Sequence, residues 1–236
     1  MKLLILGSGP LSEQAERLAQ AAGVEYAVSA VPESADAILP ATEDDAVLNA
    51  LSGDNVLFDP AAWRVASSRL ATDALLRDRG IPAPEYFPGG SEPYLVKPDR
   101  GSFGRGIWVT DDYCEVGGAV NAGFVTQEEL DGDVWSQVVI GAPGAYTAYP
   151  AARLSFDGRR RVSAECAHAP EAEALADTAK RVAEAIGVHG ILEVEAICHH
   201  GTWKVIDANA RLPMLTPDAI LSSTGVNLLE EWMKLK

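Results

Sequence analysis

The chain has 236 residues, 47% of them hydrophobic and 22% charged, enough to bury a sizeable core and too apolar for disorder along its whole length. Its formal net charge of −15 repels polyanions and argues against a nucleic-acid partner, which would need Lys and Arg to neutralise phosphates. No apolar run approaches the ~18 residues of a membrane helix, and no basic amphipathic stretch stands out, so no membrane partner is expected either. The three cysteines, Cys114, Cys166 and Cys198, form no CxxC pair, which implies reduced, semi-buried thiols in a cytoplasmic protein.

Residues 2–6 read as an apolar first strand that breaks at Gly7-Ser8-Gly9-Pro10. Leu11, Ala15, Leu18 and Ala22 then recur at helical spacing, with Gly23 at the cap. Strands over 24–28, 37–39 and 55–58, with a short helix over 45–51, predict a small parallel sheet. An amphipathic helix over 67–79, with Leu70, Ala74 and Leu75 inward, stops at Gly80 before Ile81-Pro82-Ala83-Pro84. Strands follow over 94–97, 106–110, 123–126, 135–140 and 152–156. A long helix over 170–186 carries the stripe Leu175, Ala179, Val182 and Ile186, with Pro170 in its first turn. Strands over 191–198 and 203–209 flank a turn, and a final helix runs through Leu229 and Trp232.

Two constellations carry chemistry. Lys97 ends an apolar strand, and Gly101, Ser102, Gly104 and Gly106 follow it, a loop able to bring backbone N–H groups close to phosphates. It is no P-loop, because Gly-x4-Gly-Lys-Ser/Thr is absent. Glu193-x-Glu195 and Asp207-x-Asn209 lie on successive strands, each pair on one face. A two-residue loop would set Glu195 opposite Ile206; a three-residue loop with left-handed Gly201 would set it opposite Asp207, and that register is the one expected. Clustered oxygen-bearing side chains there suit Mg²⁺ or Mn²⁺. Arg211, just beyond, could clamp a phosphoryl oxygen. His199-His200 read as turn residues. Gly7-x-Gly9 lacks the third glycine of a dinucleotide fingerprint, since Ser12 stands there, which weakens an oxidoreductase reading.

The strand lysine with its glycine-rich loop, the acidic segment 127–133 and the acid-rich hairpin, in that order, resemble the ATP-grasp superfamily along nearly the whole chain. Val205-Ile206-Asp207-Ala208-Asn209-Ala210-Arg211-Leu212-Pro213 and Ser222-Ser223-Thr224-Gly225 are similar to the pyrrolysine-biosynthesis ligases, which join 3-methylornithine to the side-chain amine of lysine. The resemblance implies an α/β fold (α+β in the C-terminal part), with a small parallel-sheet N-terminal domain over 1–64, a small ATP-grasp subdomain over 65–130 and a C-terminal domain over 131–236. It implies ATP and Mg²⁺ or Mn²⁺ as cofactors, amino acids as small-molecule substrates, and allows a homodimer. By the same resemblance Arg69 and Lys97 reach the nucleotide phosphates, and Ser102, Phe103 and Gly104 form the loop above them. Gln127, Glu128, Glu129 and Leu130 line the adenine hinge, with Asp133 near the ribose. Glu195, Asp207 and Asn209 hold the metal, Lys97 and Arg211 are catalytic, and Glu43, Arg211, Ser223 and Thr224 meet the substrate.

The chain departs from the family at Gln127 and Asp207, where glutamates are usual, and at Asn209, where an aspartate is. The basic stretch Arg159-Arg160-Arg161 stands where acids would greet an ornithine-type ammonium; it suits a carboxylate-rich substrate or a solvated turn. Two alternatives stay open: a ligase for another amino-acid pair, and a non-catalytic nucleotide-binding protein on the same fold.

Overall fold

In a computed structural model, residues 2–90, 92–101 and 104–235 are described. The first strand, β1 (Lys2–Gly7), leads through α1 (Pro10–Ala21) to β2 (Glu25–Ser29) and β3 (Ala37–Ala41), which pair with it in parallel in the order β2-β1-β3. The fourth strand expected over 55–58 is a lone bridge between Ile38 and Val56, with helices on either side of it. These are α2 (Asp45–Ala50), α3 (Pro60–Ala66) and α4 (Arg69–Asp78). Gly7, with φ 147°, has a structural reason: a Cβ there would lie 2.4 Å from the Ala41 carbonyl oxygen, so β1 and β3 could not close around a side chain. That explains the first glycine of Gly7-x-Gly9 without a dinucleotide.

A three-stranded sheet follows: β4 (Tyr94–Pro98), β5 (Trp108–Thr110), then α5 (Tyr113–Asn121) and β6 (Phe124–Glu128), ordered β5-β4-β6. The large sheet starts with β7 (Val134–Ala142), β8 (Ala145–Ala148), β9 (Ala152–Asp157) and β10 (Arg160–Cys166). After α6 (Ala172–Ile186) come β11 (Gly190–His199), β12 (Thr202–Asn209), α7 (Thr216–Thr224) and α8 (Leu228–Met233). Its order is β10-β9-β7-β11-β12, with β8 on the edge of β7. The mixed α/β architecture with a parallel N-terminal sheet matches the expectation.

Several local readings need correction. The buried face of α4 is Thr72 and Leu76, while Leu70 is 46% exposed, because the helix starts at Arg69 behind an Ser68 cap whose hydroxyl accepts from Ala71 N. Pro170 lies outside α6, whose N-cap Glu171 adopts a left-handed conformation with φ 46°. Cys114 is exposed, whereas Cys166 and Cys198 are partly buried. Among the described residues no helix is long and apolar enough to cross a membrane.

Leu3 and Ile5 of β1, Leu18 of α1, Val138 and Ile140 of β7, Ile191 of β11 and Trp232 of α8 share one buried cluster. The N-terminal sheet is therefore packed against the large sheet by continuous apolar contact, each fully buried side chain contributing roughly 1.5–3 kcal/mol. Gln14 of α1 ties the two further: its side chain donates to the Pro213 carbonyl at 2.7 Å and accepts from Leu215 N at 2.6 Å. The small sheet and the large sheet face each other across the remaining gap, where Lys97 of β4 reaches β12.

Candidate active site

Between these sheets lies a cavity of about 410 Å³, lined from both sides and from the N-terminal part. Lys97 is 5% exposed, and its Nζ donates to the Ile206 carbonyl at 2.9 Å. Burial lowers its pKa to about 8, against the pull of Asp207 and Glu195. Ile206 is an extra residue. The hairpin turn holds only His200 and Gly201, both with positive φ, so His199 pairs with Thr202. A bulge beside Glu195 then lets β12 gain one residue, and Glu195 faces Asp207 after all. The expected register is present, but a bulge at Ile206 creates it and not a three-residue loop. The same bulge turns the Ile206 carbonyl toward Lys97.

The acids form a ranked set. Glu193 is 1% exposed; its Oε1 accepts from Ser136 Oγ at 2.6 Å, Thr216 Oγ1 at 2.9 Å and Arg161 Nη1 at 3.1 Å. Asn209 Nδ2 donates to Glu193 Oε2 at 3.4 Å. Glu195 pairs with Arg161 Nη2. Burial, with Glu193 and Asp207 nearby, holds the Glu195 carboxyl above the usual carboxylate range although Arg161 opposes it. One guanidinium thus serves two carboxylates. Two carboxylates and an amide oxygen on adjacent strands fit a hard divalent cation, with Glu195, Asp207 and Asn209 as the donors. No group of three or more His, Cys, Asp or Glu side chains gathers as a metal cage among the described residues.

Arg69 binds the root of the glycine-rich loop, donating to the Pro98 and Gly101 carbonyls at 2.8 and 2.9 Å, and lies 3.5 Å from Asp207. Asp99 caps α4 from that loop, accepting from Leu70 N at 2.9 Å and Ser68 Oγ at 2.8 Å. Arg211 pairs with Glu43 at 2.5 Å, which brings the N-terminal part to the cavity wall. The buried Nε atoms of Arg69 and Arg211 have no hydrogen-bond partner, leaving donors for an anionic ligand.

The ATP-grasp domain family matches residues 66–214, the stretch that carries both sheets, Lys97 and the acid-rich hairpin. The chain belongs to the ATP-grasp family. It is 32% identical over 206 residues to the 3-methyl-D-ornithine–L-lysine ligase of Methanosarcina acetivorans, an alignment covering 85% of this chain and 56% of that protein. The chain thus spans little more than half the length of the curated relatives it matches. In fold it is similar to biotin carboxylase from Campylobacter jejuni, with a TM-score of 0.80 at 17% identity, covering 99% of this chain and 70% of that one. It is also similar to L-amino acid ligase from Bacillus licheniformis, with a TM-score of 0.71 at 20% identity, covering 100% and 74%.

On this ATP-grasp frame the expected residues divide. Glu43, Arg69, Lys97, Gly104, Gln127, Glu129, Leu130, Glu195, Asp207, Asn209 and Arg211 all line the cavity. Glu128, one strand position from Gln127, points to the opposite face, where Lys204 pairs with it and Glu85 N donates to it at 3.0 Å. Asp133 is outside the lining and 3.7 Å from Arg153. Ser223 and Thr224, exposed at the end of α7, are also outside it; Thr224 Oγ1 donates to the Ile220 carbonyl at 2.7 Å. Ser102 and Phe103 fall outside the described residues. Arg161 was expected in a solvated turn or against a substrate carboxylate, yet it sits among the acids, and Arg159 pairs with Glu129 at 2.6 Å.

Proposed function

We propose that this chain carries the nucleotide site of an ADP-forming carboxylate–amine ligase that activates an amino-acid carboxylate as an acyl phosphate. The finer reading takes 3-methyl-D-ornithine as the acid and the ε-amine of L-lysine as the nucleophile, on the strength of the relative at 32% identity. The observation that carries the reaction class is the convergence of Lys97, Arg69 and Arg211 with Glu195, Asp207 and Asn209 around one cavity.

Mg²⁺, held by Glu195, Asp207 and Asn209, would supply charge neutralisation at the phosphates. The chain's own groups do the rest. Lys97, fixed by the Ile206 carbonyl, presents a buried cation to the transferred phosphoryl group. Arg69 couples the loop root to the same place. Arg211, anchored by Glu43, is placed to hold a carboxylate or acyl-phosphate oxygen. Gln127 and Leu130 offer polar and apolar contacts to a base. Excluding water would protect the acyl phosphate from hydrolysis while the amine attacks.

A second reading, a ligase for a different amino-acid pair, is favoured by one observation: Ser223 and Thr224, expected to meet substrate, lie away from the cavity. One assay separates the readings. Purified protein with Mg-ATP is offered no substrate, then lysine with an ornithine-type acid, then an amino-acid panel, and ADP and condensed mass are followed. ADP only with lysine and the ornithine analogue supports the finer reading. ADP with another pair keeps the ligase and replaces the substrates. ATP binding without ADP under any condition removes the catalytic reading in favour of a nucleotide-binding protein.

A further inference from the structure

Arg161 has an unusual address for a surface-strand arginine. It is 13% exposed, and it bridges Glu193, at 1%, and Glu195, at 12%. Its Nη1 also donates to the Met214 carbonyl at 3.0 Å, so backbone and carboxylate grip the same nitrogen. A register irregularity brings it there. Along β10, Ser163 and Glu165 are exposed while Ala164 and Cys166 turn inward. Unbroken alternation would put Arg161 with the exposed pair. The bulge between Arg161 and Ser163 leaves Val162 as the extra residue, 48% exposed, and Arg161 faces in.

The charged side chains here come close to balancing one another. Glu193, Glu195 and Asp207 are faced by Arg161, Arg69 and Lys97. Glu193 has hydroxyl partners besides Arg161; Glu195 takes the guanidinium's other nitrogen, Nη2, alone.

We propose that Arg161 is a built-in counter-cation that occupies Glu195 when no divalent ion is bound, and that an ion entering between Glu195, Asp207 and Asn209 displaces its Nη2. Nη1 keeps its hold on Glu193 and Met214, so the side chain swings and does not leave. This rests on the reading of Glu195, Asp207 and Asn209 as the divalent site. A displaced guanidinium needs a new anionic partner, and a polyphosphate is one. Divalent ion and nucleotide therefore bind with positive coupling, each weak alone, and Arg161 is the residue through which part of that coupling runs.

The test measures Mn²⁺ binding by electron paramagnetic resonance of the free ion, with and without ADP, in the unmodified protein, Arg161→Gln and Arg161→Lys. Removing a positive charge beside the ion should tighten nucleotide-free Mn²⁺ binding in Arg161→Gln by about tenfold or more. The gain in Mn²⁺ affinity on adding ADP should shrink in the same variant. In chelator, Arg161→Gln should melt below the unmodified protein, because its acids lose their partner, and Mn²⁺ should restore much of the difference. Arg161→Lys keeps the charge but cannot hold Glu193, Met214 and Glu195 together, so a smaller tightening is expected; it carries the test if Arg161→Gln does not fold. Mn²⁺ binding that is unchanged or weaker in the variants, while the unmodified protein binds Mn²⁺ with ADP, overturns the counter-cation alone. No Mn²⁺ binding by any form, even with ADP, overturns the divalent site and the counter-cation together.

Discussion

At Lys97, folding and the proposed nucleotide site make opposite demands on one side chain. Its folded value of about 8 lies below the 10.5 of an exposed lysine because burial disfavours the charge. Between those values the unfolded chain holds the proton and the folded chain does not, so stability rises with pH there and the full burial penalty applies below 8. The polyphosphate needs the charged form, so nucleotide affinity of the free protein should run the other way and fall as pH passes about 8. Calorimetric ADP titrations across that range, beside urea melts, would show the two trends diverging. In Lys97→Ala both trends should vanish, with turnover lost and the fold intact; near-normal turnover in that variant would remove Lys97 from the chemistry. Lys97 and the two acid pairs were legible in sequence because a glycine-rich loop follows the lysine's strand and i, i+2 spacing puts each pair on one face. Arg211 was legible only by its place just past the second pair and through the resemblance. Arg161 was not, since three consecutive arginines after Asp157-Gly158 look like any solvated turn until the pairing of β9 and β10 is known.

At the scale of elements, the two bulges at Ile206 and Val162 set which side chains enter the cavity. Neither leaves a mark in hydrophobic alternation, because a bulge belongs to a pair of strands and only one strand can be read at a time. Helices α5 and α7 were hidden for a different reason: Gly117-Gly118 in one and Thr216-Pro217 with Ser222-Ser223-Thr224 in the other read as loop composition. Asp112 caps α5 all the same, accepting from Cys114 N at 2.8 Å. The glycine-rich loop and the β9–β10 turn meet at Gly104, where φ is 70° and a Cβ would lie 2.1 Å from the Arg159 carbonyl oxygen. Gly104→Ala should therefore push the loop off the turn. The expected outcome is a raised KM for ATP with only a small drop in melting temperature, since the contact lies at the cavity wall and supports no core. A melting temperature that falls with an unaltered KM would contradict it.

Across the whole molecule, the N-terminal sheet and the large sheet share buried side chains, so they should unfold together. Trp232, 2% exposed, packs from the last helix into the cluster that holds Leu3 and Leu18. Trp232→Ala should cost about 3–5 kcal/mol and leave a single urea transition. Two resolved transitions would instead mean that the parts are independent. Gln14→Ala is subtler. It strips partners from the buried Pro213 carbonyl and Leu215 N, costing about 1–3 kcal/mol, and those residues lie in the segment just after Arg211. Turnover should drop alongside stability, a link between helix α1 and the cavity that apolar periodicity does not reveal.

The grip of Lys97 on Ile206 is made to a carbonyl, and every amino acid has one. The side chain at 206 can therefore drift among residues of similar bulk while the lysine stays aimed. A saturation scan for activity would then score position 206 as tolerant and position 97 as intolerant, although the two are halves of one contact. Tolerance to substitution in this protein is a measure of which atoms a site borrows, and the heart of the site includes a position that would look dispensable.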